Sequence, residues 1–126
     1  MRGLLDTSVF VAREQGRPLG RLPDEAAVSV VTLAELHLGV LLAEEPRIRS
    51  VRLHTLSTVE RTFDALPVDD DVARAFAVIV AEARRKRARP KIMDAWIAAT
   101  AVANHIPVFT QDTDFASFLD VEVLQV

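Results

Sequence analysis

Gly3-Leu4-Leu5-Asp6-Thr7-Ser8-Val9-Phe10 sets a short apolar run directly against a helix-start signal. Gly3 to Leu5 predicts a buried strand, Asp6-Thr7-Ser8 a helix start, and Val9 to Arg13 the helix itself. The same unit then recurs along the chain. Gly16, Pro18, Gly20 and Pro23 mark an irregular connection, and valine-rich Ala26 to Val31 predicts a second strand. Thr32-Leu33-Ala34-Glu35 has the spacing of a capping box, which predicts a helix to about Glu44. Pro46 suits the first turn of a helix running to about Thr62, and Phe63 to Val68 predicts a third strand. Asp69-Asp70-Asp71 opens a long helix, Val72 to about Arg87, with acids at its positive end and bases at its negative end. Beyond Pro90 come an alanine-rich helix (Ile92 to Asn104), a fourth strand (Pro107 to Thr110), a short helix (Asp112 to Leu119) and a fifth strand (Val121 to Val126). Strand–helix alternation of this kind predicts an α/β fold with a parallel sheet covered on both faces. With no internal repeat or linker, residues 1–126 are expected to form one domain.

Composition narrows the function classes. The 126 residues are 50% hydrophobic, enough for a sizeable core, and 18 acids against 15 bases leave a formal charge of −3. That sign argues at first against a nucleic-acid partner. The absence of cysteine excludes disulfides, thiol catalysis and thiolate metal sites. His37, His54 and His105 are scattered, with no pair at metal-ligand spacing. No apolar run approaches the ~20 residues of a membrane span, and no signal peptide precedes Asp6. The expectation is a cytoplasmic protein with no membrane association.

In doubly wound sheets, ligands sit beyond the carboxyl ends of the strands. Acids cluster there: Asp6 after the first strand, Glu35 in the helix after the second, Asp94 in the first turn of the alanine-rich helix, and Asp112 and Asp114 after the fourth strand. Each alone has an ordinary reading as an N-cap, a capping-box partner of Thr32 or a helix-dipole complement. Together they would repel one another unless a cation compensates. Mg²⁺ or Mn²⁺ suits an all-oxygen set and bridges to a substrate phosphate. The run Asp69 to Asp71 is the control, since successive acids on a helix point in different directions and read as capping and solvated surface.

Four motifs then carry a resemblance: Leu4-Leu5-Asp6-Thr7-Ser8; Thr32-Leu33-Ala34-Glu35-Leu36 with Gly39; Lys91-Ile92-Met93-Asp94-Ala95-Trp96-Ile97-Ala98-Ala99-Thr100-Ala101; and Thr110-Gln111-Asp112-Thr113-Asp114-Phe115. In this order the chain resembles a PIN-domain ribonuclease, specifically a VapC-type toxin of a toxin–antitoxin pair. The resemblance implies a PIN-like three-layer α/β/α fold on a five-stranded parallel sheet. It places the first strand between the second and fourth, so that Asp6 and Asp112 face one another. It implies Mg²⁺- or Mn²⁺-dependent endoribonuclease activity leaving 5′-phosphate and 3′-hydroxyl ends. The implied acidic site is Asp6, Glu35, Asp94 and Asp112, with Asp6, Asp94 and Asp112 as metal ligands. Asp114 is close enough in sequence to share or replace Asp112, whose position varies in the family between Asp and Asn. Thr110 matches a hydroxyl residue that often precedes that acid, and Thr7 or Ser8 would help orient a ligand or water. A VapB-type antitoxin and a homodimer are the implied protein partners.

Arg84, Arg85, Lys86, Arg87, Arg89 and Lys91 put six positive charges into eight residues just before Asp94. They suit RNA phosphates as well as a solvated helix end. With the five site acids set aside the rest of the chain is mildly basic, so the net −3 averages an acidic crevice with a basic surround. The helix from Leu33 to Ala43 is apolar around its circumference, which requires burial on several sides or a partner. Trp96, two residues from Asp94 and on another face, is expected in the core or at a dimer contact. Two alternatives stand beside the nuclease: a phosphoacceptor receiver-like domain and a catalytically silent PIN-type RNA-binding module. The receiver reading needs paired acids after the first strand and a late lysine, where this chain has Asp6 alone and ends at Val126 without one. Four scattered glycines provide no phosphate cradle for a nucleotide-binding loop.

Overall fold

The computed structural model describes residues 1–126. Five strands alternate with five α-helices. They run β1 (Arg2–Leu5), α1 (Thr7–Glu14), β2 (Glu25–Ser29), α2 (Val30–Leu42), α3 (Pro46–Thr62), β3 (Ala65–Leu66), α4 (Asp70–Arg85), α5 (Ile92–Ala103), β4 (Val108–Thr110) and β5 (Val123–Gln125). A 3₁₀ turn, Thr113–Ser117, lies between β4 and β5. All pairings are parallel, in the order β3-β2-β1-β4-β5. The chain winds outward from β1 in both directions, so the β1/β4 boundary is the switch point of the sheet. The expected fold class and the central place of β1 are both observed.

Strand residues divide between two cores by the two-residue period of the pleat. Leu4, Ala27 and Val108 belong to the larger core, beneath α4 and α5. Leu5, Val28 and Phe109 belong to the smaller core, beneath α1, α2 and α3. Both neighbours of each pair are apolar because each face of the sheet is covered, so the strands show no alternation in sequence. Gly3 is buried on β1 where a Cβ would fall 2.3 Å from the Phe109 ring, so only glycine lets that ring close the smaller core. Helix α5 is buried along Ala95, Ile97, Ala98, Ala99, Thr100 and Ala101, and its small side chains let it approach the sheet closely. Trp96 stacks on Phe76 of α4, with ring centroids 3.7 Å apart and planes at 10°, and thus serves the α4–α5 packing.

Several boundaries differ from the sequence reading: β3 is only Ala65–Leu66 where Phe63 to Val68 was expected, and β5 only Val123–Gln125 where Val121 to Val126 was expected. Helix α2 starts at Val30 and its N-cap is Ser29, whose Oγ accepts from the Val31 N–H at 3.0 Å. Thr32 and Glu35 therefore form no capping box; the earlier serine has already satisfied the orphan N–H groups. Helix α4 starts two residues before Val72, because Asp69 caps it by accepting from the Val72 N–H at 3.0 Å. The segment expected as a short α-helix from Asp112 is the 3₁₀ turn, with Asp112 as its cap. No helix is long and apolar enough to cross a membrane.

Candidate active site

Asp6 ends β1 and caps α1, with only 3% of its surface exposed. Its Oδ2 accepts from the Ser8 N–H at 3.4 Å and from Thr110 Oγ1 at 2.9 Å. Both bonds converge on Oδ2, so Oδ1 has no protein donor. Thr110 is fully buried on β4. Its single proton is committed to Asp6, so its oxygen accepts from the Asp112 N–H at 2.9 Å and from Ser8 Oγ at 3.1 Å. Ser8 Oγ in turn accepts from the Gln111 N–H at 3.0 Å. One hydroxyl pair thus ties the carboxyl ends of β1 and β4 together and fixes the approach of Asp6 to Asp112.

Glu35 enters from α2, on the opposite side of Asp6. Thr7 Oγ1 donates to Glu35 Oε1 at 2.6 Å and lies 3.1 Å from Thr32 Oγ1. The motif that resembled a capping box is therefore a bracket for Glu35: buried Thr32 supports Thr7, and Thr7 holds the carboxylate. Burial raises the Glu35 pKa, the Thr7 bond opposes it, and the Asp6 charge adds to it.

Asp94 stands at the third position of α5, only 7% exposed. Its Oδ2 is buried and has no hydrogen-bond partner. Burial is the chief reason its pKa rises from 3.8 to about 7, reinforced by Asp6, Asp112 and Glu35, with Lys91 acting weakly against it. A helix N-terminus favours a carboxylate, yet here desolvation and like charges win. Carboxylate oxygens of Asp94, Asp112 and Asp114 lie within 4.8 Å of one another. Asp112 Oδ1 accepts from the Asp114 N–H at 2.9 Å, and Asp114 Oδ2 pairs with Lys91 Nζ at 2.7 Å. That contact lowers the Asp114 pKa and raises that of Lys91.

An orphaned buried oxygen, an acid pushed towards neutrality and an oxygen-only donor set fit a hard divalent cation. A cation here would supply the missing partner of Asp94 Oδ2 and reverse the electrostatic logic of the crevice. Asp69 to Asp71 behave differently: Asp69 caps α4, and Asp71 pairs with Arg74 at 2.6 Å on the surface.

The basic run does not act as one strip. Helix α4 ends at Arg85, which pairs with Glu82 at 2.6 Å, while Lys91 is engaged by Asp114. Two residues of the site region were not read from sequence. The Gln111 side-chain amide donates to Val126 O at 2.6 Å, and that of Gln125 to Asp112 O at 3.0 Å. Together they pin β5 beneath the Asp112 loop. Their only sequence signal is the position of Gln111 inside Thr110-Gln111-Asp112.

An acidic crevice at the switch point of a β3-β2-β1-β4-β5 parallel sheet defines a class, and the PIN domain family model matches residues 3–119. The chain is 47% identical to Ribonuclease VapC5 of Mycobacterium tuberculosis (strain ATCC 25618 / H37Rv), across 98% of this chain and 95% of that protein. It is 46% identical to Ribonuclease VapC4 of the same organism, across 99% and 97%. Among solved structures, the crystal structure of VapBC-5 from Mycobacterium tuberculosis, a member of the VapBC family of toxin–antitoxin systems, matches with a TM-score of 0.88. That match is at 45% identity and covers 99% of this chain and 98% of that one. The chain belongs to the PIN-domain family, among its VapC ribonucleases.

Proposed function

We propose that this chain is the toxin of a type II toxin–antitoxin pair and acts as a Mg²⁺- or Mn²⁺-dependent endoribonuclease, restrained by a VapB-type antitoxin. The observation that carries the reading is Asp94: a buried carboxylate with an unpartnered oxygen and a pKa of about 7, set among Asp6, Glu35 and Asp112. Buried, unpaired acids are costly, and a strongly perturbed carboxylate in a crevice marks a candidate functional site.

Asp6 Oδ1, Asp94 Oδ2 and Asp112 are the groups that would hold the cation. When bound, such an ion lowers the pKa of its water and neutralises charge developing on the phosphate oxygens. Glu35 has Oε1 held by Thr7, which leaves Oε2 to orient the attacking water and take its proton. Its raised pKa brings it closer to the working pH of a general base. Attack of that water on phosphorus breaks the bond to the 3′ oxygen, which takes a proton from solvent and leaves as a hydroxyl; the phosphate stays on the 5′ side. Asp114, already neutralised by Lys91, is assigned a supporting role beside Asp112.

A protein partner is supported by the surface of α2. Leu38, Leu41 and Leu42 are 50%, 74% and 67% exposed, beside exposed Ile48 and Val51 of α3. Large apolar side chains left exposed on two neighbouring helices suit a binding surface. A homodimer and a cytoplasmic location complete the proposal.

Induced expression tests the whole reading. Wild-type protein should arrest growth, and RNA from arrested cells should carry new 5′-phosphate ends; Asp6→Asn should do neither. Arrest that persists in Asp6→Asn would overturn the assignment of the site.

A further inference from the structure

Lys91 stands at the wrong end of a helix. It is the N-cap of α5, a position that ordinarily takes serine, threonine, aspartate or asparagine, and it makes no side-chain cap bond. Its charge also meets the positive end of the helix dipole. The other α-helices begin differently: Asp6, Ser29 and Asp69 cap α1, α2 and α4 with side-chain oxygens, and α3 opens on Glu45 and Pro46. The contact with Asp114 at 2.7 Å does not account for the exception through stability. Both side chains are largely in water, 69% and 46% exposed, and such pairs add little to a fold. A local rule broken with no gain in stability points to function.

What Lys91 gains is its place among the acids. Asp114 belongs to the set whose carboxylate oxygens, with those of Asp94 and Asp112, lie within 4.8 Å of one another. The ammonium held by Asp114 therefore borders that set. Its charge acts on Asp94 together with those of Asp6, Asp112 and Glu35, and it is the one base that does so. Asp114 takes one of the three N–H donors of the ammonium, and the rest of the group faces solvent at the mouth of the crevice. Arg85 has no such relation to the acids, since it pairs with Glu82 of its own helix.

We propose that Lys91 binds a non-bridging oxygen of the scissile phosphate, with Asp114 as its positioning residue. The proposal rests on the ribonuclease reading and adds a cationic group to its acidic site. The ammonium keeps its proton throughout and acts by charge on the phosphate oxygens as they become more negative. Cleavage of one end-labelled RNA in Mn²⁺ is the first test. Lys91→Gln should lower kcat about ten- to a hundredfold with a smaller change in KM, and Lys91→Arg should recover most of the loss. Asp114→Asn should cost less than about tenfold in the otherwise wild-type chain and nothing further in Lys91→Gln, because it acts through the ammonium. Two further readouts need no turnover. In calorimetry without RNA, Lys91→Gln should bind Mn²⁺ at least as tightly as wild type, since it removes a cation beside the acids. In an Asp94→Asn background it should weaken binding of a labelled single-stranded oligoribonucleotide about three- to tenfold, and the salt slope should fall by about 0.7 for the one phosphate contact removed. If wild type cleaves RNA and Lys91→Gln cleaves it equally well, Lys91 has no part in the site and the ribonuclease reading stands. If wild type cleaves no RNA in Mn²⁺, that reading itself fails. Parallel loss of Mn²⁺ affinity and cleavage in Lys91→Gln would make Lys91 an organiser of the acids and overturn the phosphate contact. A rise in KM with kcat unchanged would overturn its assignment to the scissile phosphate.

Discussion

Asp94 shows how a single residue reports a missing ligand. In the folded chain it keeps its proton up to about pH 7, against 3.8 for an ordinary aspartate. Between those values the folded state binds a proton that the unfolded state does not, so stability is fully present below about pH 4. It then falls as pH rises and is lost above about pH 7. Metal-free protein should therefore melt at progressively lower temperature from pH 5 to pH 8. Added Mn²⁺ should reverse the trend at the upper end, since it competes with the proton for the same oxygens. Asp94→Asn removes the penalty: in EDTA at pH 8 it should melt about 2–6 °C above wild type and show no response to Mn²⁺. Thermal melts across pH, with and without metal, check all three; a wild-type curve flat from pH 5 to 8 would contradict the burial account of Asp94. The pair Asp112 and Asp114 separates in the same way. Asp114 is partnered by Lys91, whereas Asp112 holds the turn and adds charge against Asp94. Asp112→Asn should depress cleavage on the order of a hundredfold and Asp114→Asn by under tenfold, measured as kcat/KM on one RNA. The reverse order would make Asp114 the fourth site acid.

Helix α2 explains why some elements were legible in sequence and others were not. Strand-then-acid units at Asp6 and Asp112 are legible as a set, because several acids fall at one edge of a doubly wound sheet, whereas the same unit at Asp69 is only a helix cap. The proline at the start of α3 and the acid and base ends of α4 fixed those helices to within two residues. In α2, Val30-Val31 looks like more strand, and Thr32 to Glu35 copies the spacing of a capping box. Only the tertiary structure shows that Ser29 is the cap and that Thr32 faces Thr7. Ser29 is fully buried and also lies 3.3 Å from Thr100 of α5, so it joins two helices as well as capping one. Ser29→Ala should cost about 1–2 kcal/mol in denaturant unfolding, and Thr32→Val less than that. A larger loss at Thr32 would restore the capping-box reading. The Lys91–Asp114 contact and the glutamine clamps beneath Asp112 were illegible for a different reason. They join residues from separate elements, and no periodicity encodes such meetings.

At the scale of the molecule, a parallel sheet reverses strand order between β1 and β4 and brings acids from the end of β1, from α2, from α5 and from the β4 loop to one edge. Helix α5 carries Asp94 on a rigid, alanine-packed platform, and the Thr110–Ser8 pair holds the two strand ends in register. Burial and like charges raise the Asp94 pKa in this crevice, a penalty that a bound cation would relieve. An overall negative chain is compatible with an RNA substrate, because the negative charge is concentrated where a metal would compensate it. The central claim is that this acidic crevice cuts RNA with a divalent ion. It is tested most directly by incubating purified wild-type and Asp94→Asn protein with end-labelled RNA, in Mn²⁺, in Mg²⁺ and in EDTA. Wild type should produce discrete fragments with 5′-phosphate ends in metal and none in EDTA, and Asp94→Asn should produce none in any condition. Equal cleavage by the two proteins, or cleavage that survives EDTA, would contradict the account.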